Sequence, residues 1–147
     1  MKILVTGCKG VVGSKLYEIL LGMGHEVFGV DLMHTNDIYG HGLGTVKNEN
    51  YFRCDIGEFR QIQAVIEHVK PDYVYNCAAE FGRWNGEHFY EQVWKTNCVG
   101  LKHIIRLQEK MGFRLVHCSS SEVYGDYHDV MWENVLDQTP IVQLNDY

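Results

Sequence analysis

No apolar run in this chain approaches the roughly 20 residues that a membrane span requires. The segment Lys2–Thr6 runs directly into a glycine turn, which leaves no room for a signal peptide. Lysine and arginine nowhere cluster, and 13 basic residues against 19 acidic ones give a formal charge of −6. A nucleic-acid partner is therefore not expected. Only two prolines stand against fifteen glycines, and the hydrophobic share of 46% with 22% charged residues excludes disordered, collagen-like and coiled-coil chains. The five cysteines (Cys8, Cys54, Cys77, Cys98, Cys118) are odd in number, far apart and never spaced C-x-x-C. Neither a disulfide framework nor a zinc site is indicated, and the eight histidines show no ligand spacing, so no metal is assigned. These absences describe a cytoplasmic protein with reduced, mostly buried thiols. At 147 residues it has the length of one ordinary domain.

Short apolar runs rich in Val, Ile, Phe and Tyr are present at 3–6, 27–30, 51–53, 73–76 and 115–118. Each is too short for a helix and is bounded by turn-forming residues, so the pattern predicts five strands. Between them, Val12, Leu16, Ile19, Leu20 and Met23 follow helical spacing, as do Phe59, Ile62, Val65, Ile66 and Val69. A longer helix is predicted from Glu87 to Met111, with Phe89, Val93, Ile104, Leu107 and Met111 on one side and Gly112 as its stop. Strands alternating with helices imply an α/β fold, a doubly wound parallel sheet of the Rossmann type with right-handed crossovers. Two stretches lack a period, 34–50 and 126–145, and both follow strands. Ligands bind beyond the carboxyl ends of such strands, which makes both stretches candidates to face a ligand.

Gly7, Gly10 and Gly13 join the first strand to the first helix with the spacing G-x-x-G-x-x-G. Gly7 suits the tight turn, Gly10 lets backbone approach a pyrophosphate, and Gly13 allows close helix packing. The helix start at Val11 and Val12 then offers N–H groups and a positive dipole end to phosphates. Asp31 follows eighteen residues after Gly13, at the end of the second strand, where a carboxylate can accept bonds from ribose hydroxyls. Together these predict a dinucleotide site. Asp31 repels a 2′-phosphate and no arginine follows it in Leu32-Met33-His34, which favours NAD over NADP. Lys9, inside the turn, points mildly the other way if it is not simply solvated.

Four further blocks complete a pattern. Cys54-Asp55-Ile56, Asn76-Cys77-Ala78-Ala79, Lys95-Thr96-Asn97-Cys98-Val99-Gly100 and Ser119-Ser120-Ser121-Glu122-Val123-Tyr124-Gly125 follow the glycine turn in order. With it they resemble the extended short-chain dehydrogenases, the NAD(P)-dependent epimerases and dehydratases of nucleotide sugars. The resemblance implies that Asp55 and Ile56 meet the adenine, that Ala78 and Ala79 lie beside the cofactor, and that Asn97 belongs to the family's N-x-x-G helix segment at the cofactor. It implies that Ser120 hydrogen-bonds the sugar 4-hydroxyl and that Tyr147 is the tyrosine of a Tyr-x-x-x-Lys pair. The lysine and a C-terminal substrate domain do not follow, so the expectation is a cofactor-binding domain over 1–147, truncated in the catalytic region and hardly able to turn over alone. The resemblance also implies a homodimer through the 87–111 helix.

Hydride leaves sugar C4 while the hydroxyl proton leaves for a base, and a phenol is a poor base at neutral pH unless cations favour its phenolate. Glu122 bears on the branch of the family. The resemblance of S-E-V-Y-G is closer to 4,6-dehydratases and to decarboxylases of nucleotide-linked glucuronic acid than to C4 epimerases. A carboxylate there can remove the acidified C5 proton, or be a solvated loop residue. The resemblance also implies that the loop after the fourth strand lies near nicotinamide and sugar, where Arg83 can meet a diphosphate or a carboxylate, with Phe81, Trp84 and Trp94 nearby as core or interface. A non-catalytic NAD-binding sensor is the competing class.

Overall fold

The computed structural model describes residues 1–33, 48–82, 87–144 and 147. Five strands, β1 (Lys2–Thr6), β2 (Glu26–Asp31), β3 (Tyr51–Arg53), β4 (Tyr73–Asn76) and β5 (Arg114–His117), form one parallel sheet in the order β3-β2-β1-β4-β5. The predicted α/β class and all five strands are therefore present, their ends displaced by at most one residue. Between β1 and β2 runs α1 (Val11–Gly22), and between β3 and β4 runs α2 (Phe59–Val69). Before β5, α3 (Tyr90–Val93) continues through a π-helical stretch (Trp94–Gly100) into α4 (Leu101–Met111), and α5 (Val135–Gln138) lies near the end. Most of the predicted 34–50 excursion lies outside the described residues; Asn48–Asn50 form a 3-10 turn.

Two cores sandwich the sheet. On one side Leu4, Val30 and Val74 meet Ile62, Ile66 and Val69 of α2 and Ile104 and Leu107 of α4. Each such fully buried aliphatic side chain contributes about 1.5–3 kcal/mol, enough for two turns of α2 to fix its rotation. On the other side Ile3, Val5 and Val27 meet Tyr17 and Leu20 of α1. Here the predicted face is corrected. Val12, Ile19 and Met23 are exposed, while Gly13, Ser14, Tyr17 and Leu20 are buried. The helix turns this way because Gly13 presses against the Gly7 carbonyl and the Tyr17 hydroxyl donates to the Val27 carbonyl at 3.0 Å.

Gly112 ends α4 as predicted, in the left-handed region at φ 79°. The single helix over 87–111 is not continuous. Phe89 breaks it at φ −136°, ψ 45°, and the π-helical stretch follows. The cause lies outside the helix: Asn97 is held by the backbone of Glu80, and Gly100 packs on Ile56, so the wider turn satisfies both while Ile104 and Leu107 stay buried. The thiols are corrected as well, since Cys8 and Cys54 are buried, Cys77 is half-buried, and Cys98 and Cys118 are exposed. Among the described residues no helix is long and apolar enough to cross a membrane.

Candidate functional site

The carboxyl ends of the strands converge on the glycine turn. Gly7 takes φ +65°, and a Cβ on it would sit 2.8 Å from both the Ala78 nitrogen and the Cys77 carbonyl. The turn is thus seated on the residues that leave β4, and only glycine fits. Gly13 is tighter, since its Cβ would meet the Gly7 carbonyl at 2.1 Å. The third glycine therefore locks helix to turn rather than helix to sheet. Gly10, the N-cap of α1, has no side-chain cap, and no acidic residue occupies the first turn, where Val11 and Val12 are exposed. The helix start is thus left without a side-chain cap or an acidic neighbour, as an anionic diphosphate requires.

Asp31 is not a freely solvated strand end. Its Oδ2 accepts from the Lys9 N–H at 2.9 Å and its Oδ1 from the Met33 N–H at 3.4 Å, so the glycine turn itself aims the carboxylate. The Lys9 ammonium lies 4.7 Å from the centre of the Tyr51 ring rather than in bulk solvent. The Tyr51 hydroxyl donates to the carbonyls of Asp31 and Met33. Burial, reinforced by Asp31, pushes the Tyr51 phenol upward, so it remains a donor there. Arg53 is a residue that sequence reasoning missed. Its Nε donates to the Leu32 carbonyl at 2.9 Å, and it is the register partner of Asp31. A cation therefore does flank the acidic strand end, delivered by strand pairing instead of by the residues that follow Asp31.

Asp55 is gripped at every polar atom. Its N–H donates to Gln61 Oε1 at 2.9 Å, Oδ1 accepts from the Gly57 N–H at 2.8 Å, and Oδ2 meets Lys95 Nζ at 2.9 Å. Lys95 also pairs with Glu58 at 2.7 Å, and these two carboxylates, Glu58 first, raise its pKa. Its stem crosses Gly57, where a Cβ would come within 2.8 Å of Lys95 Cγ. The Ile56 side chain is buried in the core and its carbonyl meets His103 Nδ1 at 3.0 Å, so the backbone N–H is the part left to a ligand. Asn97 accepts from the Glu80 N–H and donates to the Glu80 carbonyl, both at 2.9 Å. It fastens the loop that leaves Ala78 and Ala79.

A polar row crosses the sheet beneath this loop. The Ala78 N–H donates to Thr6 Oγ1 at 3.3 Å, Thr6 Oγ1 donates to Asn76 Oδ1 at 2.5 Å, and Asn76 Nδ2 meets His117 Nδ1 at 3.1 Å. Thr6, Asn76 and His117 are register partners, which is why the row forms. With Asn76 donating, His117 Nδ1 is the acceptor, and burial lowers this imidazole's pKa in the same sense.

Ser120 caps a 3-10 turn (Ser121–Tyr124), its Oγ accepting from the Glu122 N–H at 3.1 Å. The structure thus brings Ser120 and Glu122 together. Gly125 then allows the segment 141–142 to lie against the turn, with the Asp126 N–H donating to the Val142 carbonyl at 3.1 Å and the Gln143 side chain to the Val123 carbonyl at 3.2 Å. Tyr147, half-buried, follows this returning segment. Arg83 and Trp84 lie outside the described residues. Phe81 and Trp94 are exposed, so neither belongs to the core.

Residues 3–147 match the NAD dependent epimerase/dehydratase family. The chain belongs to that family. Among similar proteins, UDP-glucuronic acid decarboxylase 1 of Danio rerio is 34% identical over 85% of this chain and 28% of its own length. A probable dTDP-glucose 4,6-dehydratase of Sinorhizobium fredii is 30% identical over 88% of this chain and 40% of its own length. The structure of the Bordetella bronchiseptica enzyme WbmH in complex with NAD+ superposes with a TM-score of 0.71 at 25% identity, covering 84% of this chain and 40% of that one. The chain thus spans well under half the length of these family members.

Proposed function

We propose that this chain supplies the cofactor-binding part of an NAD-dependent nucleotide-sugar enzyme that works through transient oxidation at sugar C4. The observation that carries the reading is the coupling at Asp31. One glycine turn presents uncapped helix N–H groups, rests on β4 at Ala78, and aims the β2 carboxylate through its own Lys9 N–H. A dinucleotide needs these three features together: a diphosphate site, close backbone approach and a ribose acceptor. The family description and the NAD+ bound to the WbmH enzyme support the same cofactor. Asp55, held by Lys95, and the backbone N–H of Ile56 serve the adenine end, while Ala78, held by Thr6, and Ala79, next to the Glu80 backbone that Asn97 holds, form the floor beyond the pyrophosphate.

NAD, when bound, would supply the acceptor for the hydride from C4. The chain's own residues handle the proton and the orientation. Ser120 has one lone pair committed to the Glu122 N–H, which leaves its O–H to donate to the substrate hydroxyl. Tyr147 is the base in this reading, with a cation supplied by chain beyond it to favour phenolate. Glu122, in the turn that Ser120 caps, acts after oxidation at C5 and C6, which favours 4,6-dehydratase or decarboxylase chemistry over C4 epimerisation. The whole enzyme is a cytoplasmic homodimer in this reading. Phe89, Tyr90 and Trp94 expose more than half of their surface from the break at Phe89 through α3 into the π-helical stretch, and the same segment of a second copy would cover them.

Calorimetric titration of the chain with NAD and NADP tests the cofactor reading, and absence of NAD binding overturns it. In the full-length enzyme, Ser120→Ala and Tyr147→Phe should abolish single-turnover oxidation at C4. Glu122→Gln should still oxidise C4 and stall before water or carboxylate is lost; a full rate with a C4 epimer as product would assign the epimerase branch instead. Sedimentation that shows only monomer would remove the dimer.

A further inference from the structure

Two of the five cysteines, 41 positions apart in sequence, meet just past the carboxyl ends of β4 and β5. The register of β4 and β5 ends on the pair Asn76 and His117, and Cys77 and Cys118 are the next residue on each strand. The ladder continues through them, since the Cys118 N–H donates to the Asn76 carbonyl at 3.1 Å. Both side chains therefore leave the same face, and their sulfurs stand 3.7 Å apart. Neighbouring strands run about 4.7–4.9 Å apart, inside the Cα window of roughly 4.4–6.8 Å that a disulfide spans. Small side-chain rotations can bring the sulfurs to the bond length of about 2.05 Å without moving the strands.

We infer that Cys77 and Cys118 form a reversible dithiol–disulfide site joining the carboxyl ends of β4 and β5. The pair occupies a sensitive position. Cys77 precedes Ala78, on which the glycine turn rests, and Cys118 stands two residues before Ser120. The two sulfurs also have unequal roles. Cys118 is exposed and meets an incoming reagent first. Cys77 is half-buried, and burial, followed by the neighbouring Cys118, pushes its thiol up to about 12, which leaves Cys118 as the first attacking sulfur.

The oxidant is a low-molecular-weight disulfide. The Cys118 thiolate attacks one of its sulfurs, forming a mixed disulfide and releasing one thiolate. Cys77 sulfur, passing its proton to a released thiolate, then attacks the Cys118 sulfur and releases the second. Two S–H bonds are lost and one S–S bond is formed, and the small disulfide takes up two electrons and two protons to become two thiols. An excess of reduced thiol reverses both steps.

The test is incubation of the full chain with glutathione and glutathione disulfide at rising ratio, followed by digestion without reductant and mass spectrometry. The expected product is a linked peptide pair carrying Cys77 and Cys118, released by dithiothreitol and retained in Cys98→Ser. A stable glutathione adduct on Cys118 beside a free Cys77, a link from either residue to Cys98, or no modification at all would overturn the inference. Phenylarsine oxide gives a second readout without electron transfer. The arsenical should bridge both sulfurs with loss of one water in the unaltered chain and fail to do so in Cys118→Ala; equal uptake by the two proteins would overturn the inference. Both readouts follow sulfur chemistry alone, so they hold or fail separately from NAD binding.

Discussion

Replacing Asp31 by alanine removes the one side chain that the glycine turn, β2 and the proposed ribose site share. In the folded chain its main bond is the acceptance from the Lys9 N–H at 2.9 Å; the 3.4 Å contact from Met33 is long for a hydrogen bond. A hydrogen bond to a charged group contributes about 1.5–3 kcal/mol, and partial exposure of this carboxylate places the expected loss near the lower end, about 1–2 kcal/mol. For a domain of 147 residues that lowers Tm by roughly 3–7 °C. Asp31→Asn keeps an oxygen for the Lys9 N–H and should lose about half as much. Binding should separate from folding. Two lost ribose bonds and a lost carboxylate weaken NAD by about 1.5–3 kcal/mol, roughly ten- to a hundredfold, while NADP loses less because the repulsion disappears and Arg53 and Lys9 remain nearby. Thermal unfolding and calorimetric titration of the three proteins measure both effects. Unchanged NAD affinity in Asp31→Ala, or equal NAD and NADP affinity in the unaltered chain, would refute the assignment of this carboxylate to the ribose.

Lys95→Met keeps the stem over Gly57 but removes both ion pairs; at 38% exposure the charge is well screened, so the expected loss is about 0.5–1 kcal/mol, smaller in high salt. Because the folded-state pKa of Lys95 is raised, this contribution is complete below 10.5 and fades as pH rises through the folded value, which unfolding curves at neutral and alkaline pH will show. The His117 imidazole should titrate below 6.5 by NMR, its contribution to stability being present above 6.5 and lost as pH falls through the lower folded value; titration at or above 6.5 would contradict the acceptor role of Nδ1. Gly13→Ala and Gly22→Ala should diverge in thermal unfolding. The first forces a Cβ to 2.1 Å from the Gly7 carbonyl and should cost about 3 kcal/mol or more, whereas the second meets nothing within 4 Å and should stabilise α1 by about 0.5–1 kcal/mol.

The strands were legible because each is a short apolar run with turn residues at both ends, and α2 because its five apolar residues leave one rotation open. The face of α1 was not. With Val11, Val12, Leu16, Ile19, Leu20 and Leu21 all apolar, periodicity selects no side, and Gly13 against Gly7 and Tyr17 on Val27 decide it. The interruption before α4 was equally hidden, because Asn97 is drawn to the backbone of Glu80, seventeen positions away. Within the site, the glycines and Asp31 could be read from spacing. What holds them could not, since the donor to Asp31 is a backbone N–H and carries no residue identity. Arg53 and the Thr6, Asn76 and His117 row depend on register, which single strands do not encode.

In the proposed reaction, the geometry of the last block leaves the choice of chemical branch to Glu122. Ser120 is committed through its cap, its Oγ accepting from the Glu122 N–H. Gly125 is committed to backbone. It takes φ +50°, and a Cβ there would meet the Val142 carbonyl at 2.3 Å, so any other residue would push away the segment that leads to Tyr147. Two of the block's positions are thus fixed by geometry that any oxidation at C4 would share. Glu122 contributes its backbone N–H to that geometry, and any residue except proline has one to give. Its carboxylate is accordingly the part of the turn that can change while the cap stays intact, so in the proposed reaction a different step at C5 needs no rebuilding around Ser120.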